Sequence, residues 1–392
     1  MEELKKRFVT YDEIAGQGRK LSETLSRLAD VPFPLSKGSR YLLTGCGSSL
    51  YISLFLTESW RGRLGLDVRS APSSELILYP ERILKREEKP ILIAISRSGE
   101  TTETIKAARI ARQRFDCRIV TVSCDSRSTL AGLGDTAIHF DELREQSVVM
   151  TRAFTGMLGA FLAWSGLRES IQRLPDWLGT ALKENEKPLQ ELAGSDRKNL
   201  VFLGTGTFFP LACEAMLKVK EMTGAVVEAW QTFEFRHGPR AILQEGSLVW
   251  IFAGAADFPH LSEVISEFQD LGARVCLAGN RLPEKLAGSA DLSFSFDWDV
   301  DEPEVEACGM LHLPQYLAFF KAIALNKNPD HPEKLSRVVT LGEGSSERIY
   351  ARRATDRRTA RVLPEYSGRR RGCCRRLQEP WSLRPFMGPE SR

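Results

Sequence analysis

Apolar positions along the chain change period several times. Near the start, Leu21, Leu25 and Leu28 fall at helical spacing, so residues 1–30 are predicted to form one or two amphipathic helices. Asp30–Lys37 (DVPFPLSK) reads as a proline-containing linker. From Arg40 onward, short apolar runs alternate with longer amphipathic stretches. Strands are predicted near 40–44, 66–69, 90–95, 118–123 and 136–140, and helices near 49–63, 73–78, 101–115 and 151–165. Glu184–Asp196 is polar and is expected to link two halves. The second half resumes with strands near 199–204, 247–253, 273–278 and 291–295, and helices near 208–223, 259–271 and 311–325. Strands that alternate with helices imply an α/β fold built on doubly wound parallel sheets. The predicted organisation is N-terminal helices over 1–30, a first α/β domain over 31–185, a second over 190–342, and a tail over 343–392.

Two segments share one design. Arg40–Leu50 reads RYLLTGCGSSL and Asn199–Phe209 reads NLVFLGTGTFF. Each is an apolar run, a G-x-G turn with small hydroxylated neighbours, then a helical pattern. Between them, Ile91–Thr104 reads ILIAISRSGETTET, another strand running into Ser, Gly and Thr at a helix start. Loops of this kind present backbone N–H groups and hydroxyls in front of a helix dipole, which suits a phosphate monoester. In open parallel sheets ligands sit beyond the carboxyl ends of the strands, where all three loops fall. A dinucleotide-binding fingerprint is the rival. Gly45 and Gly47 fit its first two positions, and Asp67 falls near its ribose-binding acid. Its third glycine is missing, since Leu50 and Phe209 occupy that place.

Composition narrows the class. At 392 residues, 42% apolar and 27% charged, the chain is of soluble globular type with room for two cores. No long uncharged apolar run predicts a membrane span, and the start, MEELKKRFVTYDE, shows no signal region, so a cytoplasmic location is expected. Cys46, Cys117, Cys124, Cys213, Cys276 and Cys308 are scattered as reduced core cysteines would be, and no Cys/His spacing resembles a zinc site. The net charge of +3 hides an asymmetry. From Glu343 onward thirteen Arg face six acidic residues, a balance of +7 that leaves −4 for the rest. This tail carries Arg-Arg pairs, Cys373-Cys374 and four prolines in place of periodic apolar residues, and is expected to be disordered. Its aromatic residues keep no regular spacing, so no nucleic-acid partner is expected.

Candidate chemistry lies in four places. In Ser96-Arg97-Ser98-Gly99-Glu100-Thr101, three hydroxyls and a glycine exceed what one helix cap needs, which favours phosphate binding. Ser48 and Ser49 add donors from the neighbouring loop. Glu145–Thr155 (EQSVVMTRAFT) opens a helix and is a candidate third wall of a sugar pocket. In Glu214–Glu221 (EAMLKVKE), Glu214, Lys218 and Glu221 share one helical face, which is either a solvated charged face or a site. His237 in EFRHGP sits on a turn fixed by Gly238-Pro239. A His there and a Glu near an anion site can act as an acid/base pair.

Both halves resemble SIS (sugar isomerase) domains. The set ISRSGET, EQSVVMTRAFT, EAMLKVKE and FRHGP resembles the isomerase half of glucosamine-6-phosphate synthase. More closely it resembles the stand-alone two-SIS-domain amino-sugar-phosphate deaminases and the tagatose-6-phosphate ketose/aldose isomerases, over about residues 10–342. The resemblance implies that Ser49, Ser96, Arg97, Ser98 and Thr101 hold the sugar phosphate, that Val148 is a pocket wall, that Glu221 moves a proton between C1 and C2, and that His237 opens the ring from the other subunit of a dimer. Gln315 falls in a C-terminal helix of the family. With no Cys at position 2 and no glutaminase segment, glutamine-dependent synthesis is not expected. The synthase's Schiff-base lysine corresponds to Arg337, whose permanently charged guanidinium cannot be that nucleophile but can pair with a phosphate or carboxylate. The expected protein is a homodimeric deaminase that turns a hexosamine 6-phosphate into a ketose 6-phosphate and ammonia. It needs no metal or nucleotide, its catalytic pair is Glu221 and His237, and Ser48, Ser49, Ser96, Arg97, Ser98, Thr101, Val148, Lys218 and Arg337 bind substrate. The alternatives are an aldose/ketose isomerase without ammonia release and a non-catalytic sugar-phosphate sensor.

Overall fold

A computed structural model describes residues 7–28, 31, 35, 38–194, 199–339 and 341. The basic tail from 343 therefore lies outside the described residues, as does most of the Asp30–Lys37 linker. Helices α1 (Val9–Ala15) and α2 (Gln17–Arg27) come first. A first sheet follows: β1 (Arg40–Gly45), α3 (Ser48–Leu64), β2 (Asp67–Pro72), β3 (Ile91–Ile95), α4 (Thr102–Phe115), β4 (Ile119–Ser123) and β5 (Thr136–His139). Then come α5 (Arg152–Leu162), ending in a wide turn over Ala163–Leu167, and the long α6 (Leu174–Gly194). The second sheet is built from β6 (Leu200–Gly204), α7 (Phe208–Thr223), β7 (Val227–Gln231), β8 (Leu248–Ala253), α8 (Phe258–Asp270), β9 (Arg274–Asn280) and β10 (Leu292–Phe296). Helices α9 (Pro303–Met310) and α10 (His312–Ala324) close the fold.

The two sheets repeat one topology. The first has strand order β2-β1-β3-β4-β5 and the second β10-β9-β8-β6-β7, every pairing parallel. Numbered within each half, both orders are 2-1-3-4-5. The strand order reverses between the first and third strands, so the loops after those strands flank a crevice. The expected α/β architecture of two doubly wound parallel sheets is what the chain forms. The repeat extends to single glycines. A Cβ on Gly45 would lie 2.7 Å from that of Ser49, and one on Gly204 would lie 2.3 Å from the Phe208 carbonyl oxygen. Each strand end thus passes directly beneath the helix that follows it.

The central strands β4, β6 and β8 are buried along their whole lengths, as parallel strands covered on both faces must be. Left-handed residues end three helices where the pattern predicts: Gly65 after α3, Asp116 after α4 and Gly224 after α7. Two differences from expectation have local causes. The polar stretch that begins at Glu184 is helical through Gly194, because Leu189, Leu192 and Ala193 give it one buried face against α10. Strand β7 was not predicted, since VEAWQ is a half-exposed edge with no apolar run. Both sheets lie in one compact unit that extends to Leu341, and α3 packs on α7 to join them. Among the described residues no helix is long and apolar enough to cross a membrane, and no cluster of His, Cys, Asp or Glu could hold a metal ion.

Candidate active site

At the end of β1 the chain turns through Gly47, at φ 55°, and α3 begins at Ser48. At the end of β3 it enters Ser96–Thr101. Gly99 has φ 67°, and a Cβ there would fall 2.0 Å from Ser128 Oγ, so only glycine fits. Ser96 is buried and braces this loop: Gly99 N donates to its Oγ at 3.1 Å, and its hydroxyl lies 3.0 Å from Thr101 Oγ1. Ser98 and Thr101 instead face a cavity of about 250 Å3 at the switch point of the first sheet. Cys46–Ser49, Arg97, Val148, Glu221 and Leu335–Arg337 also line it. The positive end of the fourteen-residue α4 stands behind the loop.

One wall is the segment before α5. Glu145 is its keystone: Oε1 accepts from Thr151 N at 2.7 Å, Thr151 Oγ1 at 2.9 Å and Ala153 N at 3.2 Å. Its Oε2 pairs with Arg97 Nη1 at 3.0 Å, and Arg97 Nη2 donates to the Val148 carbonyl at 2.7 Å. Arg97 therefore lines the cavity with its guanidinium committed to the wall. Arg337 donates to the Glu145 carbonyl and brings the C-terminal segment across the opening.

The floor comes from the second half. On α7, Glu214 and Lys218 are fully buried, while Glu221 reaches the cavity. The charged face is therefore not solvated. Lys218 Nζ lies 2.5 Å from Glu221 Oε2, 3.2 Å from Glu214 Oε1 and 3.1 Å from Ser48 Oγ. Burial pushes the Glu214 carboxyl up to about 8, with Lys218 opposing and Glu221 adding to the shift. Burial alone would lower Lys218, but Glu214 and Glu221 beside it outweigh burial and raise it. Glu214 Oε2 has no hydrogen-bond partner among the described residues. Burying such a cluster gains little stability, and breaking one such pair costs about 3–5 kcal/mol.

Of the residues singled out, Ser48, Ser49, Arg97, Ser98, Thr101, Val148, Glu221 and Arg337 come together around one cavity, and Ser96 and Lys218 stand just behind its surface. His237 does not join them within one chain. It is exposed, lining a different opening of about 790 Å3 with Arg236, Arg240 and Glu267. Nor does the second G-x-G loop join them. Thr205–Phe208 lines its own cavity of about 810 Å3, where Asp257 accepts from Thr205 Oγ1 and, at 3.0 Å, from Gly254 N. A carboxylate occupies the counterpart of the Ser96–Thr101 loop, so the repeat does not place the same groups there. Sequence reasoning missed Glu13 and Asp330, which hold the Val148 wall from 130 and more residues away and leave no local signal.

No family model matches the chain. It is 28% identical over 361 residues to the D-galactosamine-6-phosphate deaminase of Shewanella sp. (strain ANA-3), covering 86% of this chain and 91% of that protein. It is also 28% identical over 354 residues to the glutamine–fructose-6-phosphate aminotransferase of Pyrobaculum aerophilum, covering 84% of this chain but 57% of that protein. The chain thus spans little more than half the length of the aminotransferases it matches. Among solved structures, the glucosamine-6-phosphate deaminase of Thermotoga maritima superposes with TM-score 0.72 at 26% identity, over 85% of this chain and all of that one. The tagatose-6-phosphate ketose/aldose isomerase of Escherichia coli shares the fold with TM-score 0.77 at 22% identity, over 86% of this chain and 97% of that one. Fold and cavity define a doubled α/β protein with a Ser/Thr-lined cavity at the first switch point. These likenesses support an SIS sugar-phosphate isomerase family for the chain.

Proposed function

We propose that the chain is an amino-sugar-phosphate deaminase that converts a hexosamine 6-phosphate and water to a ketose 6-phosphate and ammonia. The observation that carries this reading is the placement of Glu221 in the same cavity as Ser98 and Thr101, with charged Lys218 at 2.5 Å behind it. The phosphate takes the hydroxyls and amides of Ser96–Thr101 and leaves C1 and C2 toward the floor. Glu221 removes the C2 proton and returns it to C1, so that the aminated carbon becomes a C2=N imine. Water adds to that carbon, the C–N bond breaks, and ammonia leaves a ketose. Lys218 orients the Glu221 carboxylate, and Glu214 fixes Lys218. Arg337 cannot form an imine with the sugar and serves to draw the C-terminal segment over the opening.

Ring opening is assigned to His237 of a second copy, in a homodimer. Support for this is its exposure on a fixed turn outside the Glu221 cavity. The test is a panel of glucosamine, galactosamine and N-acetylated 6-phosphates, with ammonia and ketose phosphate both measured. Equal release of the two supports the deaminase. Ketose–aldose exchange of unaminated sugars without ammonia would replace it with a plain isomerase. Tight binding with no turnover of any substrate would replace it with a sensor.

A further inference from the structure

The wall that carries Val148 is held by the two ends of the folded unit. Glu13, on α1, is buried, and Gln146 N donates to its Oε1 at 2.5 Å. Ser147 Oγ lies 2.5 Å from its Oε2, and Arg152 Nη2 stands 3.9 Å from Oε1. Asp330, past α10, grips the same helix from its other end. Its carboxylate accepts from Val9 N at 3.1 Å, Thr10 N at 2.8 Å and Thr10 Oγ1 at 2.6 Å. The Asp330 carbonyl in turn accepts from Val148 N at 2.9 Å. Three segments therefore close a triangle: α1 holds 146–147, Asp330 holds α1, and Asp330 holds Val148. None of these contacts touches the Ser96–Thr101 loop. Wall and phosphate cradle are fixed by separate sets of bonds, joined through Arg97.

We infer that Glu13, with Asp330, is a positioning residue for sugar recognition: it sets the Val148 wall against the sugar while leaving the phosphate cradle alone. Ser147 Oγ keeps the Val149 carbonyl at 2.9 Å without Glu13, but Gln146 N has only this buried carboxyl and would be stranded by its truncation, so the wall must shift to find it a new partner. The inference rests on the sugar-phosphate reading of the cavity, and its test separates the two. In the full chain, Glu13→Ala should weaken glucosamine 6-phosphate binding by about tenfold in calorimetry, the scale of one stranded buried group. Inorganic phosphate binding should stay within about twofold, and Glu13→Gln, which keeps an acceptor, should restore the sugar phosphate. Should Glu13→Ala fail to fold, Ser147→Ala removes the wall's own half of the contact and should give the same pattern. Hydrogen exchange of 146–151 in the unliganded chain should rise in the alanine variant and recover in Glu13→Gln. An equal loss for both ligands, or no loss of sugar phosphate, would overturn the inference. If the parent chain binds inorganic phosphate but no sugar phosphate, the proposed function falls and exchange alone decides: unchanged exchange at 146–151 then overturns the positioning role.

Discussion

Ser48 Oγ, at the start of the first helix of the first sheet, donates to Glu214 Oε1 across a distance of 3.0 Å. Glu214 belongs to the matching helix of the second sheet, so the two halves of the repeat meet through a buried carboxyl at the floor of the cavity. A group whose folded value stands near 8, against 4.5 in the unfolded chain, keeps its proton after the unfolded chain has released it. Its contribution is therefore fully present below about 4.5 and is lost as pH climbs through about 8. Burial raises Glu13 and Glu306 in the same direction and pushes His312 down to about 4, so His312 is neutral in both states over the upper part of that window. The melting temperature should fall as pH rises from about 6.5 to 9. Glu214→Gln, which preserves the acceptor for Ser48, should flatten that slope. A slope equal to the parent's would show that Glu214 is ionised when folded.

What could be read from sequence follows from how local each feature is. Strands β1, β3, β4, β6 and β8 are buried apolar runs bounded by Gly, Ser or Asp, so their pattern alone shows them. Strand β7 is an edge whose Glu228, Trp230 and Gln231 reach solvent, and its pairing is written in the neighbour rather than in the segment. The Ser96–Thr101 cradle is legible because strand, loop and helix are contiguous. Spacing placed Glu214, Lys218 and Glu221 on one face, yet only packing of α7 against α3 decides that this face is buried. Glu13 and Asp330 act over separations of 133 and 320 residues, where pattern has no reach.

Ser98→Ala with Thr101→Ala removes two hydroxyls that face the cavity at a helix start. Affinity for sugar phosphates should fall by about 2–4 kcal/mol, the scale of two hydrogen bonds to a dianion. Calorimetry of the double variant checks this. Unchanged affinity would move the phosphate elsewhere.

Glu221→Gln keeps the shape of the side chain and removes the base. Lys218 loses the Glu221 carboxylate but keeps the Glu214 carboxyl at 3.2 Å and Ser48 Oγ at 3.1 Å, so the fold should persist. Turnover should slow by roughly two to four orders of magnitude while substrate still binds. Exchange of the C2 hydrogen with deuterated solvent reads the step directly. Exchange at the parent's rate would remove Glu221 from proton transfer.

The final prediction concerns which chain supplies His237. The Glu221 cavity and the His237 opening are lined by separate sets of residues, and the turn that carries His237 is fixed by its own bond, His237 N to the Glu234 carbonyl at 3.0 Å. The family resemblance assigns the imidazole at this site to a second copy of the chain. His237→Ala and Glu221→Gln should each be inactive alone. If each site takes Glu221 from one chain and His237 from its neighbour, a mixed dimer holds one site with both groups and one with neither. Mixing the two inactive variants under conditions that exchange subunits should then restore activity, up to about half of the parent's per mixed dimer, because the barrier is lowered only where both groups meet. Native mass spectrometry establishes that mixed dimers have formed. Mixed dimers without activity would place both residues in one chain's site or take His237 out of the reaction, and a strictly monomeric chain with full turnover would end the shared-site reading altogether.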